Sequence, residues 1–304
     1  MINSITVINH RKESKKLVLA DPEESGFAIT KIDGLGPVKA DISMINITSL
    51  DGAVFSSARA GTRNIVISIV FFEKPTIEDS RNEAYRYFPI KKPISLQIET
   101  DKRVYCTSGY VESNIPTIFS SEEGCDISIL CPSPYFTTLD NKNETEKTIQ
   151  ANKQFEFPFS NESLVNPLIE FSKVTPKITF EFFYKGLVAT GFYLSFHVLD
   201  PGSYPHVILL ENKRTNEYMT FSMLKLPDGG LKIGDDFVIC TIQGKKSITL
   251  IRGGIAYNVL NVLSRTSKWL NVETGLNYFD INLPTSDVNL FEISFKCELL
   301  FEGV

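Results

Sequence analysis

Three histidines and five cysteines are the residues from which this chain could build an acid–base pair, a nucleophile or a soft-metal site. His10, His197 and His206 lie far apart and share no motif such as H-E-x-x-H. The cysteines form no C-x-x-C pair; they are Cys106, Cys125, Cys131, Cys240 and Cys297. We predict reduced, mostly buried thiols rather than a disulfide framework or a metal centre.

The carboxylates and glycine-rich stretches offer no stronger signal. Asp235 and Asp236 are adjacent, so on a strand they point to opposite faces and cannot share a proton. Residues 34–39 (GLGPVK) and 242–247 (IQGKKS) depart from the dinucleotide and phosphate-loop motifs at decisive positions, and both are predicted turns. No G-x-S-x-G elbow occurs. We therefore predict a non-enzymatic protein with no catalytic, metal-binding or cofactor-binding residue, although carboxylates from distant segments could still converge.

Composition places the chain among globular proteins. It has 304 residues, 42% hydrophobic and 22% charged, with a formal net charge of -5. That length favours two domains, and the lack of a basic run argues against a protein held on nucleic acid by phosphate contacts. We expect no secretory signal at the N-terminus, because residues 1–16 lack an apolar core, and no membrane-spanning run.

The first half of the chain predicts strands around one helix. In residues 63–72 (RNIVISIVFF), alternate residues are isoleucines, and the intervening valines predict a strand covered on both faces. Five more segments are rich in strand formers: 4–8, 15–20, 27–32, 94–100 and 103–111. Residues 49–54 and 100–103 predict hairpin turns.

The exception is an amphipathic helix within residues 74–93. Thr76 and Asp79 form a variant of the capping box, and Pro89 ends the run. One helical stripe is predicted to pack on a sheet; its members are Ile77, Ala84, Tyr85 and Phe88.

Beyond residue 136 the composition changes. Residues 137–154 are polar and predict a linker, and the remainder shows short alternating strands typical of a sandwich or jelly roll. In one of them, residues 191–200, His197 shares strand parity with Ser195 and lies opposite Phe196, which predicts a solvent-side histidine.

Ordered features along nearly the whole chain resemble the siphophage distal tail protein (Dit) family, also called the siphovirus-type tail component. In the first half the resembling segments are 32–42, 51–72, 92–113 and 127–136. In the second half they are 233–241, 248–260 and 269–279. The last segment, WLNVETGLNYF, resembles the family's spaced motif at Trp269, Val272, Gly275 and Asn277.

This resemblance implies a mainly β fold in two domains. Residues 1–136 would form a β-rich belt domain with one α-helix, 137–165 a linker, and 166–304 a galectin-like β-sandwich. Six copies would form a ring at the distal end of a phage tail, after synthesis in the cytoplasm of the bacterial host. The ring would contact the tail tube protein, the tail-associated hub or lysin protein, and receptor-binding or other baseplate proteins. DNA would pass through its channel without specific binding, and no membrane would be involved.

Three residues are candidate interface positions. Arg59 and Arg63 could bridge to acidic groups of a neighbouring subunit, or could be solvated loop residues. Trp269 alternates with polar residues and could pack between strands, dock a partner protein or stack on a sugar. The last possibility keeps an alternative function open, a module recognising a host cell-wall glycan; a cell-wall hydrolase is a third possibility.

Overall fold

The computed structural model describes residues 1–48, 51–139, 146–149, 177–199, 205–283 and 291–304. The chain divides into two compact units, residues 1–139 with 300–304, and residues 140–299. The predicted mainly β fold is confirmed. The two units differ from the predicted domains in two details. Residues 300–304 belong to the first unit, and a strand occupies 146–149 inside the predicted linker.

The described residues of the first unit form ten strands and two helices. They are β1 (Ile2–Ile8), β2 (Ser14–Val18), α1 (Pro22–Ser25), β3 (Phe27–Asp33), β4 (Ala40–Asn46), β5 (Ala53–Ala60), β6 (Arg63–Phe71), α2 (Ile77–Tyr87), β7 (Pro93–Thr100), β8 (Val104–Thr117), β9 (Gly124–Cys131) and β10 (Thr137–Thr138). Seven of the strands form the sheet β2-β1-β7-β8-β9-β6-β3, and β10 pairs with β8. Strands β4 and β5 pair only with each other among the described strands.

The side chains on one face of this sheet form the core of the unit. Ile65, Ile67 and Ile69 of β6 are fully or almost fully buried, whereas Val66 and Val70 are half-buried, so the prediction of a strand covered on both faces is wrong. Helix α2 begins as predicted: the Thr76 hydroxyl accepts a hydrogen bond from the Asp79 amide at 3.2 Å.

The buried stripe of α2 is narrower than predicted. Ala84 and the following Phe88 are buried, but Tyr85 is exposed because it lies one position off the stripe that faces the sheet. The short helix α1 has no counterpart in the prediction of a single helix.

The second unit is a two-sheet sandwich. Its strands are β11 (Glu146–Ile149), β12 (Lys177–Tyr184), β13 (Phe192–Val198), β14 (Val207–Asn212), β15 (Glu217–Ser222), β16 (Asp236–Cys240), β17 (Ser247–Arg252), β18 (Ile255–Asn258), β19 (Gly275–Asn282) and β20 (Phe291–Cys297). The sheets are β11-β20-β13-β16-β17-β18 and β12-β19-β14-β15.

Four phenylalanines hold the two sheets together. Phe180 and Phe279 come from the four-stranded sheet, and Phe192 and Phe295 come from the six-stranded sheet. Neighbouring ring centroids lie 5.1 to 5.9 Å apart, within the range in which aromatic pairs add to simple burial. This cluster is the centre of the sandwich core.

Candidate assembly interface

The hairpin β4–β5, called the arm below, is exposed at every residue of both strands. A two-stranded hairpin in water is at best marginally stable, because it has no third strand or packed layer to cover it. Its two edges also present unpaired backbone groups, and only Asp41 and Arg59 carry charge along the two strands. The arm therefore has the properties of an element that is completed by a partner.

The two faces of the arm differ in how much of their length is apolar. Directly opposed residues share a face, and the register shifts between Ser43 and Met44, which leaves Ser56 without an opposite partner. One face is apolar apart from Asn46, and its members are Ala40, Ala60, Ile42, Ala58, Met44, Phe55, Asn46 and Ala53. Ile42, Met44 and Phe55 are each more than half exposed.

The second face carries Arg59, one of the candidate interface residues, and it is polar only near the base of the arm, because the opposed pair Ile45 and Val54 occupies it towards the tip. The Nε atom of Arg59 lies 3.3 Å from Oδ2 of Asp41, its directly opposed neighbour, and 82% of the Arg59 side chain is exposed. Such an exposed pair contributes little to stability, so it leaves Arg59 available to a partner. The interface role of Arg59 stays a prediction.

Arg63 has a different location from the one predicted. Its side chain is 0% exposed, and its guanidinium lies 4.2 Å from the centre of the Phe136 ring. Its five donated hydrogen bonds all end on main-chain carbonyls; the acceptors are Gly34, Gly36, Pro134 twice and Glu302. Burial lowers the pKa of the guanidinium. Arg63 therefore cannot be a solvated residue or bridge to a neighbouring subunit, and this prediction is wrong.

The root of the arm is formed by the GLGPVK stretch, residues 34–39. Gly34 has φ +85°, and a Cβ atom there would lie 1.9 Å from the carbonyl oxygen of Asn64, so only glycine fits. The chain can thus turn closely against β6, accept hydrogen bonds from Arg63, and reach the start of β4. The stretch is a structural turn, as the sequence predicts.

A cleft of about 270 Å³ lies at the base of the arm. Ala40, Ala58 and Ala60 belong both to its wall and to the apolar face of the arm. The rest of the apolar lining is Pro37, Val38, Pro134 and Tyr135. Arg59 and Glu302 also line it. The apolar face of the arm therefore continues into a recess that a partner's side chain could enter.

A second exposed apolar feature of the first unit is the turn between β8 and β9. Phe119 is 99% exposed and has φ +66°, an uncommon conformation for a residue with a large side chain. Ile115 and Ile118 beside it are also exposed. One unit thus carries two separate apolar surfaces that its own described core does not cover.

In the second unit, Trp269 lies on the surface rather than in the core. It is half-buried, and Nζ of Lys246 lies 5.5 Å from the centre of its ring. Leu270 and Val272 fill the core, so the predicted alternation of this segment is correct. A sugar stacking on the ring face that Lys246 covers would have to displace that side chain. A docking role for Trp269 stays a prediction.

The motif around Trp269 is built on a turn that Asn277 holds. The buried Asn277 side chain accepts from the Glu273 amide at 2.9 Å and donates to the carbonyls of Glu273 and Gly275 at 2.6 and 3.0 Å. Gly275 has φ +91°, the left-handed conformation that favours glycine. These residues position the start of β19, so their role is structural.

The residues considered for chemistry are dispersed or paired structurally. Nδ1 of His197 lies 2.6 Å from Oδ1 of Asp236, and each side chain is about 40% exposed. Asp235 is buried and accepts from Arg252 instead. Within the described ranges, no three His, Cys, Asp or Glu side chains are grouped so that they could hold a metal ion, and no helix is long and apolar enough to cross a membrane.

Comparison with solved structures relates this architecture to a phage protein. The crystal structure of the SPP1 Dit protein (gp 19.1), described as a paradigm of the hub adsorption apparatus in phages infecting Gram-positive bacteria, matches with a TM-score of 0.61. The match covers 98% of this chain and 99% of that chain at 11% sequence identity. The protein has a Dit-like fold.

Two baseplate structures match over similar spans. The phage P2 baseplate in its activated conformation with Ca has a TM-score of 0.44 and 10% identity, covering 98% of each chain. The phage p2 baseplate in its activated conformation with Sr has a TM-score of 0.44 and 12% identity, covering 97% of each chain. No family model and no curated protein matches the sequence.

The arm has only a partial signal in the sequence. Residues 40–44 and 57–60 alternate apolar and polar side chains, but the alternation breaks at Met44–Ile45 and again over residues 53–56. The predicted interface residues of this region are Arg59 and Arg63 instead. The structure brings Arg59 next to the arm's apolar residues but places Arg63 inside the unit and Trp269 in the other unit.

Proposed function

We propose that the protein is a structural subunit of a phage tail tip, in which copies assemble through the arm into a closed ring. The observation that carries the proposal is the exposed apolar face of the arm, which has no cover among the described residues of its own unit. The Dit-like fold over 98% of the chain gives this surface its biological context. No bond-making or bond-breaking step is part of the proposed role.

Ring closure follows from the type of contact. An arm that lies on a different surface of the next copy makes a heterologous contact, and such contacts repeat into a ring when the rotation closes. The number six comes from the resemblance to the Dit family. In the assembled tail, the ring would connect the tail tube protein to the tail-associated hub protein and to receptor-binding components.

The charge of the sheet is compatible with a channel for DNA. On the face of the large sheet opposite the core, four acids (Asp33, Glu99, Glu112 and Asp126) lie with two lysines; Lys16 pairs with Glu99 at 2.8 Å and Lys31 pairs with Asp33 at 2.5 Å. Fixed acidic groups repel phosphates, so DNA would pass without being retained. A gel-shift titration at low salt is expected to show no complex with duplex DNA.

The central experiment compares two matched substitutions by sedimentation velocity and negative-stain electron microscopy. Phe55 on the arm and Phe183 in the second unit are 62% and 60% exposed. Phe55→Asp is expected to prevent ring formation, because it places a charge in the apolar contact, while Phe183→Asp leaves the ring intact. Both are surface changes and are expected to leave the unit folds unchanged.

A wild-type chain that stays monomeric at high concentration and in the presence of neighbouring tail proteins would contradict the proposal. Rings that form equally well with Phe55→Asp would remove the arm from the interface.

A further inference from the structure

The segment Leu300–Val304, called the return segment, lies in the first unit although the 160 residues before it form the second. Phe301 and Phe136 exchange two backbone hydrogen bonds of 2.9 Å. The Phe301 ring packs edge-on against Tyr105 at 5.4 Å and lies 5.0 Å from the guanidinium of Arg103. The return segment is therefore docked in a defined register.

The same segment touches the loop from which the arm departs. The Val304 amide donates to the Leu35 carbonyl at 3.1 Å. A Cβ atom on Gly303 would lie 3.0 Å from the Leu35 carbonyl oxygen and 3.4 Å from Cδ of Pro37, which is tighter than most such contacts. Residues 34–37 thus lie directly against the return segment, and β4 begins three residues later.

Arg63 connects the return segment to the root of the arm. One nitrogen, Nη1, donates to Gly34 and Gly36 at the root of the arm, and Nη2 donates to Pro134 and to Glu302 of the return segment. If one acceptor moves away, the buried guanidinium is left with an N–H group that has neither a protein acceptor nor water, and this costs free energy. The arrangement in which all acceptor segments are in place is therefore favoured. The guanidinium spreads five donors over three nitrogens in fixed directions, whereas a lysine offers three donors on one nitrogen and cannot match all five of these hydrogen bonds.

We propose that Arg63 and the return segment form an anchor that sets the direction in which the arm leaves the unit, and that assembly depends on this anchor. The second part rests on the proposed function, in which the arm is the assembling element. Arg63 acts here as a positioning residue, since it does not reach the apolar face itself. A consequence is that a chain becomes competent to assemble only when residues 300–304 have docked.

Amide hydrogen exchange tests the anchor on dilute, unassembled protein, and it is read at the Phe136 and Val304 amides, whose hydrogen bonds dock the return segment. These two are called the root amides, and Phe136 reports alone where residues 300–304 are deleted. Arg63→Lys keeps the charge but loses the fork, and deletion of residues 300–304 removes one wall. Both are expected to speed exchange at the root amides by about tenfold or more, while core amides of β6 and β9 keep their rates. Gly303→Val is a milder variant that disturbs the same contact if the deletion fails to fold.

The matched control is Arg86→Lys. Arg86 is another arginine of the first unit, but it is exposed and pairs with Glu13, away from the arm. This variant is expected to leave exchange at the root amides unchanged. Root-amide rates that stay the same in Arg63→Lys and in the deletion, or that rise only together with the core rates, would overturn the anchor.

Sedimentation then tests the link to assembly. Arg63→Lys is expected to lose the ring as Phe55→Asp does, with its units still folded. If Phe55→Asp assembles normally, the proposed role of the arm fails, but the exchange data still decide whether the anchor exists. Faster exchange at the root amides combined with unimpaired rings in Arg63→Lys would refute the dependence of assembly on the anchor.

Discussion

Arg252 and Asp235 form a two-pronged ion pair in the second unit. Nε of Arg252 lies 2.9 Å from one carboxylate oxygen of Asp235, and Nη2 lies 2.7 Å from the other. The Lys232 amide donates to the same carboxylate at 2.7 Å. Asp235 is 1% exposed, so both of its oxygens depend on these donors. The pair joins the start of β16 to the end of β17.

We predict that Asp235→Asn lowers the free energy of unfolding of the second unit by about 2–4 kcal/mol, because it replaces the buried carboxylate by a neutral amide and leaves the largely buried Arg252 with the exposed Asp228 as its remaining acidic partner. Urea titration followed by fluorescence measures this change, since the single tryptophan, Trp269, lies in the second unit. The control is Asp236→Asn, whose half-exposed carboxylate meets His197 and whose loss is expected to cost less than about 1 kcal/mol. Equal effects at the two positions would contradict the prediction.

The two aspartates also show what the sequence could reveal. That adjacent residues on a strand face opposite sides follows from backbone geometry alone, and the structure places Asp235 and Asp236 accordingly. The partner of Asp235 was not predictable, since Arg252 is brought to it by the pairing of β16 with β17. Local signals of the same kind identified the start of α2 at Thr76.

The arm and the burial of Arg63, by contrast, could not be predicted from local sequence signals. Arginine side chains are almost always exposed, so the sequence alone gives no reason to predict that one of them is buried. Arg63 is buried because three distant segments, at residues 34–36, 134 and 302, supply carbonyls to its guanidinium. The return segment was equally hidden, because alternating residues predict a strand but not the unit to which it belongs.

Asn277 provides a second test in the second unit. Asn277→Ala removes three hydrogen bonds of a buried side chain and leaves the amide of Glu273 and two carbonyls without their partner. We predict a loss of about 2–3 kcal/mol in the free energy of unfolding, measured by urea titration. Asn271→Ala is the matched control, because Asn271 is exposed and only its main-chain carbonyl accepts, from Asn212. A loss below about 0.5 kcal/mol for Asn277→Ala would refute this role.

The cysteines should differ in reactivity. Burial raises the pKa of the Cys125 and Cys297 thiols to about 12, so almost no thiolate forms there near neutral pH. Cys106 is the one half-buried cysteine; burial raises its pKa as well, but its sulfur is more accessible. We predict that a maleimide at pH 8 labels Cys106 first, and that the other four react only on unfolding.

Mass spectrometry of the labelled protein checks this order. The variant Cys106→Ser is expected to take up almost no label in the native state and four labels in denaturant. Rapid labelling of Cys125 or Cys297 in the folded chain would show that these strands open more readily than their burial implies.

Glu13 gives the first unit a dependence on acid. Its carboxylate accepts from Arg86 at 2.6 and 3.0 Å and from the side chain of Asn9 at 2.8 Å. The hydrogen bonds from Arg86, and then from Asn9, lower the pKa of Glu13 from its ordinary 4.5 to about 2. Because the pKa is lower in the folded state, the stabilisation is present above pH 4.5 and is lost as the pH falls from 4.5 through 2.

We therefore predict that Glu13→Gln weakens the first unit at pH 7 but makes its stability less sensitive to pH between 4.5 and 2. Denaturation midpoints from circular dichroism at pH 7, 4 and 3 measure the difference between variant and wild type. That difference must shrink as the pH falls, because protonation removes in the wild type what the substitution removes in the variant. Glu23→Gln, a change at an exposed acid of α1, is expected to give no such convergence. A constant difference at all three pH values would mean that the contact with Arg86 does not lower the pKa of Glu13 in the folded protein.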